Sequence, residues 1–232
     1  MLAKNNNTGV LVAITIIFLW FASLIFLLGY YDVNYYSPIT YLLFFLQTHL
    51  YTGLFITAHD SMHGVVSKNR RLNDVIGRIC TILFAFNFYD NLYKKHHLHH
   101  RFVATEKDPD YHKGIFLSWY VKFALEYVNI WQIILMAITY NVLKLFLPTE
   151  NLIFYWMLPS VASTFQLFYF GTYLPHRGEH ASGNIHKSRS QSKNHFLAFL
   201  SCYFFGYHYE HHASPATPWW LLYKLKEPKN NF

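Results

Sequence analysis

Two long runs of uncharged residues at the start of the chain predict a pair of membrane-spanning helices. No Asp, Glu, Lys or Arg occurs from residue 5 to residue 31 or from residue 39 to residue 58. Each run is at least as long as the roughly 20 residues that a helix needs to cross the hydrocarbon core. Spans are therefore predicted near 10–30 and 39–58. A cleaved signal peptide is the alternative for the first run, but the run is longer than the hydrophobic region of such a signal and lacks a clear small-x-small cleavage site.

The second half of the chain predicts two more spans. Three charged residues interrupt the apolar stretch 116–147, so it is divided into an amphipathic entry and a third span near 127–147. The uncharged run 152–174 predicts the fourth span. The shorter apolar segments 75–88 and 195–207 cannot cross a bilayer alone, and they predict helices that lie in the interface or in a cap.

Composition agrees with a membrane protein of one domain. The 232 residues are 53% hydrophobic and 13% charged, whereas soluble domains carry about 25% charged residues. No Pro-, Gly- or Ser-rich linker divides the chain, so residues 1–232 are predicted to form a single domain. The predicted fold is an all-α integral membrane protein with about four transmembrane helices and a cytoplasmic helical cap. Cys80 and Cys202 lie alone in apolar stretches, which predicts buried thiols rather than a disulfide framework.

The basic residues predict the orientation of the helices. The formal net charge is +7, but Lys and Arg are gathered beside the apolar runs, so membrane topology explains them better than nucleic-acid binding. Lys4 precedes the first pair of spans and four basic residues follow it between 68 and 78, with none between the two spans. Both ends of this hairpin are therefore predicted to face the cytoplasm, in a multi-pass protein.

Histidine is the unusual residue, because the chain has 15 and eight of them fall into three clusters. The clusters are His59 and His63; His96, His99 and His100; and His208, His211 and His212. The second and third share the pattern H-x-x-H-H, whose positions i, i+3 and i+4 project to one side of a helix. The repeated spacing on one predicted membrane face indicates metal binding more strongly than a pH sensor or a solvated basic face.

The number of histidines favours two metal ions. Eight imidazoles exceed what one ion needs, and His176, at the inner end of the predicted fourth span, makes nine. Imidazole suits iron, zinc, copper and nickel, so the ligand type leaves the metal open. Metal-bound histidines usually donate their other ring nitrogen to an acceptor. The candidate supporting residues, whose alternative role is capping or ion pairing, are Asp60, Asp108, Asp110, His112 and Glu210.

The strings around the histidines resemble the membrane fatty-acid desaturase and hydroxylase superfamily and, within it, the carotenoid ketolases. The resemblance covers nearly the whole chain after the first predicted span. The strings that carry it are Thr57–Gly64, Lys95–His112, Phe168–Arg177, Phe205–His212 and Pro218–Trp220.

This resemblance implies an oxygenase in which all nine histidines bind two iron ions. It implies O2 as co-substrate, electrons from reduced ferredoxin or a similar donor, and a carotenoid that enters from the bilayer lipid. The implied reaction converts C4 of the β-ionone rings of β-carotene to a ketone, through echinenone to canthaxanthin, by successive hydroxylation and dehydration. No catalytic side chain beyond the metal ligands is implied.

Three other functions stay open. A carotenoid hydroxylase and a fatty-acyl desaturase or hydroxylase would use the same metal centre. A metal-binding membrane transporter is the alternative outside enzymes, and it would place its histidines at mid-membrane depth rather than at the inner ends of the spans.

Overall fold

The computed structural model describes residues 7–227, so Lys4, on which the predicted orientation partly rests, lies outside the described residues. Residues 7–227 are helical with connecting loops and contain no strand. The α-helices are α1 (Thr8–Gly29), α2 (Pro38–Met62), α3 (Arg70–Leu83), α4 (Tyr89–Phe102), α5 (Phe116–Tyr127), α6 (Ile130–Leu143), α7 (Thr149–Asn151), α8 (Leu158–Phe168), α9 (Leu174–His176), α10 (His195–Cys202), α11 (His208–Ala213) and α12 (Leu222–Lys226). A 3₁₀ turn, Trp219–Leu221, precedes α12.

Helices α1 and α2 form the predicted hairpin. They contain 22 and 25 residues and are apolar enough to cross a membrane. At 1.5 Å per residue they are about 33 and 38 Å long, against a hydrocarbon core of about 30 Å. Pro38 occupies the first turn of α2, where its missing N–H costs no helical hydrogen bond. The first two predicted helices are therefore confirmed, and α2 runs four residues further than predicted, into the first histidine cluster.

The predicted third span is not a single straight helix. The chain bends by 82° between α5 and α6, where the side chain of Asn129 accepts a hydrogen bond from the amide of Gln132 at 3.0 Å and caps α6. Such a cap starts a new helix instead of continuing the old one. Helix α6 has 14 residues, about 21 Å, which is too short to cross alone. By length and composition the structure has two spanning helices, or three if α5 and α6 together form one broken span.

The last long helix is continuous from residue 149 to residue 176. Two π-helical segments, Leu152–Met157 and Tyr169–Tyr173, join α7, α8 and α9. Asn151, near the start of this helix, binds it to the α1–α2 hairpin. The Nδ2 of Asn151 donates hydrogen bonds to the carbonyls of Leu27 at 3.0 Å and Tyr31 at 3.1 Å. The end of this helix therefore has a set position relative to the end of α2.

Helix α2 is the centre of the packing and contacts α1, α3 and α8. Tyr51, Leu54 and Ile56 on α2 are fully buried, whereas no residue of α6 is buried. Large apolar side chains on the outer faces of the long helices are exposed, for example Phe18 and Phe45, each 66% exposed. A contiguous exposed apolar surface of this kind is typical of a protein that contacts lipid.

Short helices cover the C-terminal end of α2. The segments predicted at 75–88 and 195–207 form α3 and α10, which end earlier than predicted. Helix α3 is held against α2 by a hydrogen bond from Asn73 Nδ2 to the carbonyl of Ser61 at 2.7 Å. Gly77 on α3 permits the close approach, because a Cβ atom there would overlap the Ser61 hydroxyl. Both cysteines are buried and free, as predicted.

Candidate metal centre

All nine predicted histidines meet at the C-terminal end of α2. The first cluster lies in the last turn and at the C-cap of α2, the second lies on α4 and the third on α11, while His176 ends the continuous helix. On α4 and α11 the i, i+3, i+4 spacing turns three imidazoles towards the same interior point. The side chains divide into two groups. Within each group, the candidate ligand atoms all lie within 4.8 Å of one another.

The first group, called the five-histidine group, draws on all three clusters. It consists of His59, His63, His96, His100 and His211. The Nε2 atoms of His63 and His96 are 2.7 Å apart, and those of His100 and His211 are 3.0 Å apart. Nitrogen atoms from three different segments of the chain therefore converge on one small volume.

The second group, called the four-histidine group, includes the isolated histidine. It consists of His99, His176, His208 and His212. His212 Nε2 lies 3.2 Å from His99 Nε2 and 3.0 Å from His208 Nε2. The second cluster thus contributes to both groups, with His96 and His100 in one and His99 in the other.

The unpaired nitrogens fit metal ions. The Nε2 atoms of His59 and His176 are buried, and neither has a hydrogen-bond partner among the described residues. Buried polar atoms are nearly always paired, and one such atom faces into each group. An all-nitrogen donor set suits first-row transition metals such as iron, copper and zinc rather than calcium or magnesium.

Burial also keeps most of these imidazoles neutral, which is the form that binds metal. His99 is the exception, because the carboxylates of Asp110 and Asp108 outweigh burial and raise its pKa. Burial, with repulsion from neighbouring rings, lowers the pKa of His63 to about 4 and that of His100 to about 2. The same causes hold the pKa values of His96, His211 and His212 well below 6.5. At neutral pH the lone pairs are therefore available to a metal ion.

Three acceptors orient histidines of the two groups. Asp108 accepts a hydrogen bond from His99 Nδ1, at 2.9 and 3.1 Å to its two oxygens. The Lys187 carbonyl accepts from His176 Nδ1 at 2.8 Å. Asp60 lies 3.4 Å from His59 Nδ1 and also accepts the amide of Trp219 at 2.9 Å. Each contact leaves Nε2 as the nitrogen that faces the group.

The other candidate supporting residues contact no histidine nitrogen at hydrogen-bond distance. Glu210 accepts from Ser190 and from Lys226, the latter at 3.1 Å. His112 lines a separate polar cavity of about 850 Å³. The Asp110 oxygen nearest His99 Nδ1 is 3.7 Å away. Sequence reasoning also missed the Lys187 carbonyl, since a backbone acceptor has no signal in the pattern of side chains.

A small chamber lies between the two histidine groups. Its volume is about 40 Å³, and apart from four histidines it is walled mainly by apolar side chains. The lining residues are Phe55, His59, His96, His99, Asp110, Phe123, Leu167, Gly171, Thr172, Phe205 and His208. The side-chain oxygens of this lining belong to Asp110 and Thr172.

A groove of about 700 Å³ lies further along the same helices, between α2 and α8. It is lined by Leu42, Phe45, Leu46, Thr48, His49, Ala162, Phe165, Gln166, Tyr169, Phe170 and Leu200. None of these residues is Asp, Glu, Lys or Arg. The groove therefore suits an apolar molecule taken from lipid.

Comparisons with known proteins match most of the chain. The fatty acid desaturase family matches residues 36–149 and 116–228. The beta-carotene ketolase of a Paracoccus species is 36% identical over 224 residues, which are 95% of this chain and 93% of that protein. No solved structure matches the chain.

Two algal proteins are also similar. Beta-carotene 4-ketolase 3 of Haematococcus lacustris is 40% identical over 190 residues, which are 77% of this chain and 59% of that protein. Zeaxanthin 4-ketolase of Chlamydomonas reinhardtii is 35% identical over 242 residues, which are 97% of this chain and 54% of that protein. The chain thus spans somewhat more than half the length of these algal relatives.

Proposed function

Because the chain belongs to the fatty acid desaturase family, we propose that it is a membrane oxygenase that converts C4 of the β-ionone rings of β-carotene to a ketone. The observation that carries the proposal is the apolar chamber between two converging groups of histidines. The similar proteins named as ketolases supply the choice of carbon and substrate.

Two iron ions would be held by the two groups, one by the five-histidine group and one by the four-histidine group. When bound, the iron pair supplies the activation of O2 for oxidation of a C–H bond. The imidazoles bind through Nε2, while Asp108 and the Lys187 carbonyl hold two of the rings in the required tautomer. The apolar walls of the chamber exclude water from the reacting carbon.

The reaction balances with two successive oxidations. In each, one C–H bond at C4 becomes C–OH while O2, two electrons and two protons are consumed and one water is released. The resulting geminal diol then loses one water molecule by dehydration and becomes the ketone. Echinenone follows from one oxidised ring and canthaxanthin from two.

The electrons would come from a reduced ferredoxin-like protein. A polar cavity of about 670 Å³ is bordered by His63 and by Lys68, Arg70 and Arg78. His63 belongs to the five-histidine group, so a donor bound here would lie against a metal ligand. Basic residues around the cavity suit an acidic donor, which they would also steer towards the site. Asp74 and Asp90 also border the cavity and reduce its positive charge.

The membrane arrangement of the proposal has four spans with the metal centre on the cytoplasmic side. α1, α2, the broken α5–α6 pair and the continuous helix 149–176 would be the spans; the last contains 28 residues, about 42 Å. The basic residues that start α3 support the cytoplasmic position of the histidines. His59 lies near the end of α2 rather than at its middle, which favours an enzyme over a transporter.

Product analysis tests the proposal. Expression in cells that make β-carotene should yield echinenone and canthaxanthin, and the purified protein should contain about two irons per chain. His211→Ala should abolish ketone formation and remove part of the iron, because His211 belongs to the five-histidine group.

His97→Ala is the matched control within the same motif. The His97 ring is exposed, and its Nδ1 pairs with the carbonyl of Tyr93 at 2.9 Å, outside both groups. This variant should keep its iron and its turnover. Altered fatty acids with unchanged carotenoids would instead identify an acyl desaturase, and hydroxylated carotenoids without ketones would identify a hydroxylase.

A further inference from the structure

We propose that Asp110 holds the hydroxyl group produced by the first oxidation, so that the same carbon is oxidised a second time before release. This inference rests on the proposed function. In this role Asp110 makes the ketone, rather than the alcohol, the final product. This role is separate from support of the metal ligands.

The lining of the chamber restricts what a new hydroxyl group can contact. Of the side chains around the chamber, only Asp110 and Thr172 offer an oxygen, and the rest are histidines of the two groups or apolar residues. A hydroxyl group enclosed by apolar surface without a hydrogen bond is costly. An alcohol formed here is therefore retained only if one of these two oxygens accepts its hydrogen.

The backbone around Asp110 is held rigidly by α5. Trp119 Nε1 donates to the Asp110 carbonyl at 2.6 Å, and Lys122 Nζ donates to the carbonyls of the two flanking residues at 2.9 and 2.8 Å. The amide of Asp110 donates to Asp108 at 2.9 Å, and the Tyr127 hydroxyl donates to Asp110 Oδ1. These contacts leave the Asp110 side chain little freedom at the chamber that it helps to line.

The second carboxyl oxygen of Asp110 is free to accept a hydrogen bond. His99 Nδ1 is committed to Asp108, at 2.9 and 3.1 Å, whereas Asp110 Oδ2 lies 3.7 Å from the same nitrogen. Among residues 7–227 no donor lies within hydrogen-bond distance of Asp110 Oδ2. The two aspartates thus differ in role. Asp108 orients a metal ligand, whereas Asp110 lines the chamber and has one carboxyl oxygen without a hydrogen bond.

The second oxidation needs such an acceptor. After the first step C4 carries one hydroxyl group and one remaining hydrogen, and that hydrogen must face the metals. A hydrogen bond from the alcohol to Asp110 Oδ2 fixes the oxygen on one side of the carbon. The remaining C–H bond is then the one presented for the second round, which again consumes O2, two electrons and two protons and releases water.

The test compares two ring substrates in the iron-loaded, full-length enzyme. Wild type and Asp110→Ala are supplied with β-carotene or with its 4-hydroxylated derivative, together with a reduced ferredoxin. Asp110→Ala should lower kcat/KM for the hydroxylated ring by about tenfold or more, the scale of one lost hydrogen bond in an enclosed site. This loss should be at least tenfold larger than any loss of kcat/KM for the unoxidised ring, so 4-hydroxylated product accumulates.

Thr172→Val is the matched control, because it removes the other lining oxygen and nearly preserves volume. It should leave the ratio of alcohol to ketone unchanged. If the alanine variant fails to fold, Asp110→Asn replaces it. The asparagine oxygen can still accept the hydrogen bond from Tyr127, while its NH2 group takes the place of the free acceptor. This variant should also raise the ratio of alcohol to ketone.

Several results would overturn the inference. Accumulation of the alcohol with Thr172→Val and not with either Asp110 variant would transfer the role to Thr172. Equal loss for both ring substrates, or loss of iron in the Asp110 variants, would make Asp110 a support of the metal centre only. An unchanged product ratio refutes the inference alone, whereas a wild-type enzyme that oxidises neither ring refutes the proposed function as well.

Discussion

Replacing Asp108 by asparagine should loosen the metal bound by the four-histidine group. Its Oδ1 accepts from His99 Nδ1 and from the Asp110 amide, both at 2.9 Å, and its Oδ2 accepts from His99 Nδ1 at 3.1 Å and from the Ala104 amide at 2.9 Å. In the variant one of these two oxygens is replaced by an NH2 group, which cannot accept the hydrogen bond from the backbone N–H donor that it faces. Loss of such a supporting carboxylate typically weakens metal binding about 10- to 100-fold, which is about 1.4 to 2.7 kcal/mol.

The assay is chelator competition followed by iron analysis. Wild-type protein should keep about two irons per chain over a range of chelator in which Asp108→Asn falls towards one, because His99 serves the four-histidine group and the five-histidine group stays intact. Glu210→Gln is the matched control: Glu210 precedes a ligand on α11 but pairs with Ser190 and Lys226 instead of a histidine. Equal chelator sensitivity of Asp108→Asn and wild type, or equal iron loss in Glu210→Gln, would refute the reasoning.

Two further predictions concern the chamber and pH. Gly171→Ala should slow ketone formation at least tenfold with iron retained, since the added Cβ overlaps the ring of Phe205 and both residues line the chamber, whose shape must change. Gly29→Ala, with nothing within 4 Å of the added Cβ, is the control, and equal rates would contradict the expectation. In metal-free protein, burial lowers the pKa of His63 to about 4 and of His100 to about 2 from the ordinary 6.5. Below about pH 6.5 the unfolded chain therefore binds more protons than the folded one, and the Tm should fall from about pH 7 to about pH 5; a flat or rising Tm would show that burial does not keep these rings neutral.

The hairpin and the histidine clusters were readable from short-range patterns. An uncharged run of about 20 residues predicts a helix because hydrocarbon leaves no other way to satisfy the backbone, and α1 and α2 follow that rule. The spacing H-x-x-H-H predicts convergence because a helix turns about 100° per residue. α4 and α11 place these imidazoles on one side as expected.

The errors arose where a local contact outweighed the average hydropathy. Residues 127–147 are apolar enough for a helix, but the side chain of Asn129 caps a new one and the chain bends by 82°. Which carboxylate supports a metal ligand also depends on local contacts that the sequence pattern does not show. Asp108 and Asp110 are two residues apart and chemically alike, and only Asp108 hydrogen-bonds His99, since the loop around Asp110 turns one carboxyl oxygen towards Tyr127.

By itself the sequence determined the helical class, the first two long helices and the nine histidines, because helix period and membrane thickness act over a few turns of one segment. Only the tertiary structure decided which histidines share a group, splitting His99 from His96 and His100, and which residues line the chamber. Those choices depend on how α2, α4, α11 and the end of the continuous helix pack against one another. Contacts between segments more than a hundred residues apart, such as His99 with His212 at 3.2 Å, leave no trace in spacing along the chain.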